Sequence, residues 1–226
     1  MYYHRTLHLF CYTSSVNNQK QHWNELHKKG NIDHYSDKPT DFAEEVIKII
    51  KPSSKILELG CGVGNDSIAF AHAGHLVVAT DFSEVAITKN AERFKDTAHL
   101  TFKVVDMSNP LDFSSDHFDV VYARLSLHYF TNDVTRRIFN DIYKLLKPNG
   151  FLCFVCKSTN DLLFGKGIEV EKDMYENNGH LRHFFSEDYA KSLLGKNFKI
   201  EKIESGKETF YGSESAFVKV IAKAIK

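Results

Sequence analysis

A doubly wound α/β fold, with helices on both faces of a mostly parallel sheet, is what this sequence predicts, and three observations predict it. Strand-like and helix-like segments alternate from residue 40 onward. The strand segments, such as Val77-Val78-Ala79 and Val120-Val121, are apolar without a polar alternate, as strands covered on both faces are. The final two strand segments follow one another with no helix between them, which makes their pairing antiparallel.

The elements follow in order. Thr40-Asp-Phe-Ala-Glu-Glu45 opens a helix in which Asp41 and Glu44 have capping-box spacing and Phe42, Val46, Ile49 and Ile50 form an apolar stripe that Pro52 terminates. Strands are expected at 55–59, 75–80, 100–105, 118–123, 151–155, 198–203 and 216–221. Helices are expected at 65–73, at 83–94 with Ser83 as N-cap, at about 133–146 before Lys147-Pro-Asn-Gly150, and from Ser186 through Leu194. Two regions break the rhythm. Residues 1–39 hold one helical segment, 18–29, carrying Trp23, and read as an N-terminal cap on a domain of residues 40–226. Residues 157–183 are polar, glycine-bearing and aperiodic, a length that marks a lid or binding loop.

Lysine plus arginine equals aspartate plus glutamate at 29 each in the 226 residues, so no global field favours nucleic acid or an anionic membrane. The apolar runs fall far short of the ~20 residues a membrane span needs, and the first residues lack a signal-peptide core. A cytoplasmic protein is the expectation. Cysteines at 11, 61, 153 and 156 form no disulfide framework. The C-x-x-C of Cys153 and Cys156 lies in a strand, where i and i+3 face opposite ways, so neither a metal nor a redox pair is expected there.

The chemistry starts at Lys55-Ile-Leu-Glu-Leu-Gly-Cys-Gly-Val-Gly-Asn65. Three alternating glycines between a strand and a helix permit a sharp turn and the close approach of a ligand. The dinucleotide pattern G-x-G-x-x-G requires glycine where Asn65 stands, which argues against a nicotinamide-dependent oxidoreductase and for a ligand without a pyrophosphate. Asp81 ends the second strand and Asp106 the third, both on the crevice where open α/β sheets hold ligands. There Asp81 suits ribose hydroxyls and Asp106 an adenine amino group.

On these residues the chain resembles the class I S-adenosylmethionine-dependent methyltransferases over roughly residues 40–224. Glu58-Leu-Gly-Cys-Gly-Val-Gly64 is similar to the family's first motif, Val78-Ala-Thr-Asp-Phe-Ser83 to its ribose segment and Val104-Val-Asp-Met107 to its adenine segment. Phe118-Asp-Val-Val-Tyr-Ala123 and Leu145-Leu-Lys-Pro-Asn-Gly150 match its fourth strand and the turn before the fifth. The resemblance implies a Rossmann-like, seven-stranded sheet whose last strand is antiparallel, and S-adenosyl-L-methionine as cofactor. It implies that Glu58, Gly60, Cys61, Gly62 and Gly64 form the cofactor loop and the bed of the methionine portion. Asp81 and Phe82 then meet ribose and adenine, Asp106 and Met107 the adenine edge, and Arg124 the border between cofactor and acceptor.

A small-molecule acceptor is the expectation. The segment after the fourth strand, Arg124-Leu-Ser-Leu-His-Tyr-Phe130, departs from the Asn-Pro-Pro-Tyr pattern of amino-group methylation on nucleic acid or protein amides, and no proline precedes a cysteine as in RNA cytosine-5 enzymes. A non-catalytic cofactor-binding module shares every feature of the first half. His128 is the candidate base. His180 and His183, at the end of the lid-like stretch, are expected to act on the acceptor, with Trp23 covering the pocket.

Overall fold

The computed structural model describes residues 19–29, 38–210 and 212–226. Cys11 and the N-terminal stretch read for a signal peptide lie outside the described residues. Helix α1 covers 19–29. The remaining helices are α2 (Asp41–Ile49), α3 (Asn65–His72), α4 (Glu84–Arg93), α5 (Asn132–Leu145) and α6 (Glu187–Leu194). The strands are β1 (Lys55–Leu59), β2 (Leu76–Asp81), β3 (Leu100–Val104), β4 (Phe118–Arg124), β5 (Leu146–Lys157), β6 (Ile168–Glu171), β7 (Met174–Asn177), β8 (His180–His183), β9 (Phe198–Phe210) and β10 (Ser213–Ala224).

Seven strands form one sheet in the order β3-β2-β1-β4-β5-β10-β9. β1 to β5 pair parallel, and β10 runs antiparallel to both β5 and β9. The sheet therefore has the predicted architecture. Its strands send alternate residues into two cores: Ile56, Val120 and Tyr122 pack with α2 and α3, while Leu57, Val121 and Ala123 pack with α5 and α6. Burial on both faces explains why the sequence showed apolar runs instead of alternation. Cys153 and Cys156 fall into opposite cores as free thiols, and among the described residues no cluster is able to hold a metal.

Three local expectations are corrected. The N-cap of α2 is Thr40, not Asp41: the Thr40 hydroxyl accepts from the Ala43 amide at 3.3 Å, and Asp66 holds Thr40 in place through its backbone N–H (2.8 Å) and hydroxyl (2.9 Å). The final hairpin is longer than its apolar centre, because charged cross-strand pairs such as Lys207 and Glu214 at 2.9 Å extend it past the core. The second half of residues 157–183 is not loop: β6, β7 and β8 form a separate antiparallel meander over 168–183. Its β7–β8 turn is Asn178-Gly179, both residues at positive φ, a pairing whose hairpin preference was readable in the sequence. The backbone then returns to the sheet, where the Phe185 amide donates to the Lys157 carbonyl at 2.8 Å.

Candidate functional site

The carboxyl ends of β1, β2 and β4 open on a cavity of about 590 Å³. The glycine loop forms its floor. The amides of Gly60 and Cys61 both donate to the Thr80 carbonyl at 2.8 Å, locking the loop to β2. Gly60, Gly62 and Gly64 have φ of 80°, 54° and 81°, a region only glycine enters without cost. At Gly62 a Cβ would meet nothing within 4 Å, so this glycine leaves open space over a bare backbone; at Gly60 it would run into Ser126.

Two buried carboxylates govern the electrostatics. Asp81 accepts from the Gly62 amide at 3.0 Å and the Ser83 amide at 2.9 Å, tying the loop to the start of α4. Burial raises its pKa, opposed by those amides and by His27 on α1. Glu58 receives the Ser67 hydroxyl at 2.5 Å, and burial together with Asp66 raises its carboxyl to about 8. Such a group prefers a cation beside it. Because the folded protein holds this proton while an ordinary glutamate loses it near 4.5, Glu58 contributes stability that is complete below that pH and lost as pH rises to about 8. Urea melts from pH 5 to 8 are expected to show the wild type losing stability relative to Glu58→Gln as pH rises. A pH-independent difference between the two proteins sinks the assignment.

Of the residues singled out in the sequence, Glu58, Gly60, Cys61, Gly62, Asp81, Phe82, Asp106, Met107 and Arg124 all line this one cavity. Asp106 accepts from the Ser108 amide at 2.8 Å, and Arg137 of α5 fixes the same turn by donating to the Met107 and Ser108 carbonyls at 3.0 and 2.8 Å. Arg124 faces Glu208 of β9 at 3.6 Å. Gly64 stands outside the lining, packed against Phe94 and Asn90.

The histidines lie elsewhere. His128 is fully buried, its Nδ1 accepting from the Lys157 amide at 3.4 Å, and burial with the cations around it holds its pKa well below the ordinary range. His183 stacks on Tyr189 with ring centroids 4.5 Å apart, and its pKa is lowered to about 4, chiefly by burial. Neither they nor His180 lines the cavity.

Several lining residues were not read from the sequence. Gln19 and His27 of α1 join Trp23 at i, i+4 spacing to roof the cavity, with Asn24 bonded to Ser83 at 2.6 Å and Gln19 to the Leu181 carbonyl at 2.8 Å. Asp66 and Thr40 extend the walls, beside Ser126 and Tyr129 of the segment after β4 that the resemblance had placed at the border of cofactor and acceptor, and Glu208, Thr209 and Gly212 come from the β9–β10 tip. A nucleoside with a cationic group fits these residues: a carboxylate-rich floor, a glycine turn without side chains and an aromatic roof.

Comparison with known proteins agrees with this geometry. Residues 56–150 match the model of a methyltransferase domain. A crystal structure of a SAM-dependent methyltransferase from Methanosarcina mazei superposes with a TM-score of 0.70 at 22% identity, over 80% of this chain and 97% of that one. The fold is thus that of S-adenosylmethionine-dependent methyltransferases, and residues 56–150 are similar to a methyltransferase domain. Among curated relatives, phosphoethanolamine N-methyltransferase 1 of Triticum aestivum is 27% identical over 199 residues, 83% of this chain and 39% of the wheat protein. An uncharacterized methyltransferase of Synechocystis sp. is 30% identical over 106 residues, 47% of this chain and 48% of that one. The chain thus spans less than half the length of these relatives. No helix among the described residues is long and apolar enough to cross a membrane.

Proposed function

We propose that the protein transfers the methyl group of S-adenosyl-L-methionine to a small-molecule acceptor. The observation that carries this reading is the convergence of Glu58, the bare Gly62 turn, Asp81 and Asp106 on one cavity that continues past Arg124 to an aromatic wall of Trp23, Tyr129 and Phe130. When bound there, the cofactor supplies an electrophilic methyl on a sulfonium. The chain's own contribution is to bind, orient and exclude water, since an in-line displacement depends chiefly on alignment. Asp81 holds the ribose hydroxyls, Asp106 and the Met107 backbone the adenine edge, and the acidic floor at Glu58 the cationic end. Helix α1, tied to α4 on one side and β8 on the other, is the cover that closes over both substrates.

A free amino compound is the first acceptor to test, and the phosphate-bearing amino alcohol for which the wheat relative is named leads the panel. Balanced charge and a cavity of this size favour such a molecule over nucleic acid. S-adenosylmethionine and S-adenosylhomocysteine are expected to raise the melting temperature by mass action while NAD and NADP do not. Incubation with candidate amines, scored by S-adenosylhomocysteine release, then tests the reaction. A shift with NAD alone ends the methyltransferase reading; cofactor binding with no turnover on any acceptor favours a binding module.

A further inference from the structure

Behind Tyr129, where β8, the turn after β4 and α1 meet, basic side chains gather without an acid to neutralise all of them. Arg182 lies over the Tyr129 ring, its guanidinium carbon 6.0 Å from the centroid, and makes no ion pair among the described residues. His128 touches the same ring at 4.4 Å and His180 at 6.1 Å, and Lys157 approaches from β5, paired with Asp161 at 3.2 Å. Arg137 Nη1 and Asp141 Oδ2 face each other at 3.6 Å; apart from them, every buried side-chain nitrogen or oxygen lacking a hydrogen bond among the described residues belongs here: His128 Nε2, His180 Nδ1, Arg182 Nε and His183 Nδ1.

The protonation pattern says what is missing. His128 Nδ1 accepts a backbone N–H, so its Nε2 carries the proton and is an orphaned donor in a fully buried ring. Arg182 Nε is a second orphaned donor. His183 donates to the Phe130 backbone, which leaves it only an acceptor and sets it apart from the other two. Buried donors without acceptors are costly and rare, and beside them the half-buried Arg182 guanidinium has no carboxylate partner among the described residues. An oxyanion answers both, offering several acceptor lone pairs and a negative charge in the geometry a guanidinium matches.

We propose that this seam is an oxyanion subsite for the acceptor, in which a phosphate monoester or carboxylate is held by Arg182, with the Tyr129 hydroxyl and His128 Nε2 completing its hydrogen bonds. Tyr129 lines the cavity and its ring also meets His128 and Arg182, so it is the side chain past which an acceptor in the cavity would reach the seam. The inference rests on the methyltransferase reading for the word acceptor, but the subsite is measured without turnover.

Calorimetry of the full chain with inorganic phosphate and, separately, acetate, in the presence and absence of S-adenosylhomocysteine, reads it directly. Wild type is expected to bind at least one anion. Arg182→Gln should weaken that anion about tenfold or more, with unchanged melting temperature and unchanged S-adenosylhomocysteine affinity, and Arg182→Lys should fall between because it keeps the charge and loses the fork. Preference for phosphate assigns a phosphate monoester, and preference for acetate a carboxylate. If Arg182→Gln misfolds, Tyr129→Phe takes its place and should weaken the anion about threefold to tenfold. No heat from either anion in wild type, or undiminished affinity in the folded variants, overturns the subsite and leaves the orphaned donors to water. Failure of S-adenosylhomocysteine to bind while the anion still does overturns the methyltransferase reading instead.

Discussion

Gly60→Ala is expected to abolish cofactor binding and to lower stability by about 2–5 kcal/mol, the sum of two separable costs. At φ 80° an alanine pays roughly 1–2 kcal/mol for left-handed backbone. Its Cβ would also stand 2.3 Å from the Ser126 Cβ, a contact that must be relieved by moving β4's end or the loop, at roughly 1–3 kcal/mol for overpacking. Movement of the loop breaks the paired bonds of Gly60 and Cys61 to Thr80 that set the floor of the cavity. The two costs are told apart by Ser126→Gly. That change removes the clashing atom, and with it the Ser126 hydroxyl bond to the Leu59 carbonyl at 2.5 Å, but leaves the backbone strain. Urea melts of wild type, the two single variants and the double variant should show Gly60→Ala costing less in the Ser126→Gly background than in the wild-type one, a coupling of about 1–3 kcal/mol. Equal costs in both backgrounds would falsify the steric account.

This loop was legible in the sequence because its constraint is local: a strand, a reversal and a helix within ten residues force glycine wherever φ turns positive. Asp81 and Asp106 were legible for a related reason, since a parallel strand ends at the crevice whatever packs around it. The roof was not. Gln19, Trp23 and His27 face the cavity only because α1 docks between α4 and β8, a contact that joins Gln19 to Leu181 across 162 positions of sequence. His128 and His183, singled out in the sequence, do not line the cavity. Each stands beside residues that suit a pocket, yet His128 is turned into the core by the Lys157 amide and His183 by stacking on Tyr189, and neither interaction leaves a local trace. The β6–β8 meander escaped because its strands are four residues long and largely polar on one face, with only Met174, Leu181 and His183 buried.

The acidic groups of the floor and the basic groups behind Tyr129 form two separate clusters, and with its carboxyl raised to about 8 Glu58 itself adds little negative charge to the floor near neutral pH. Glu58, Asp66 and Asp81 gather at the glycine loop, and Arg182 and Lys157 gather behind Tyr129. A zwitterionic acceptor would enter this field with its anion toward β8 and its amine toward the sulfonium, an orientation that sequence composition, balanced at 29 charges of each sign, gave no hint of.

Asp81→Ala is expected to weaken S-adenosylhomocysteine binding about tenfold to several hundredfold, the range for losing charge-assisted bonds of roughly 1.5–3 kcal/mol to ribose hydroxyls in a partly desolvated crevice. The structure adds a second consequence. Both Asp81 oxygens already accept backbone amides, from Gly62 and Ser83, so the carboxylate is also the brace of the turn it serves. The Gly62 bond is only part-buried at the cavity lining, where water is able to replace the lost acceptor, whereas Ser83 is fully buried. Alanine should therefore cost roughly 1–3 kcal/mol of stability for the unsatisfied Ser83 amide while the fold persists. Asparagine is no neutral control: its single oxygen can serve one amide, and its NH₂ would confront the other, donor against donor. Asp81→Asn should consequently lose affinity and stability together, and Asp106→Ala should lose less of both, because Asp106 braces only the half-buried Ser108 turn that Arg137 also holds. Calorimetry on the three variants orders them, with denaturant melts run on the same preparations. An Asp81→Ala protein that binds S-adenosylhomocysteine as tightly as wild type would reduce Asp81 to the brace alone and move ribose recognition elsewhere in the cavity.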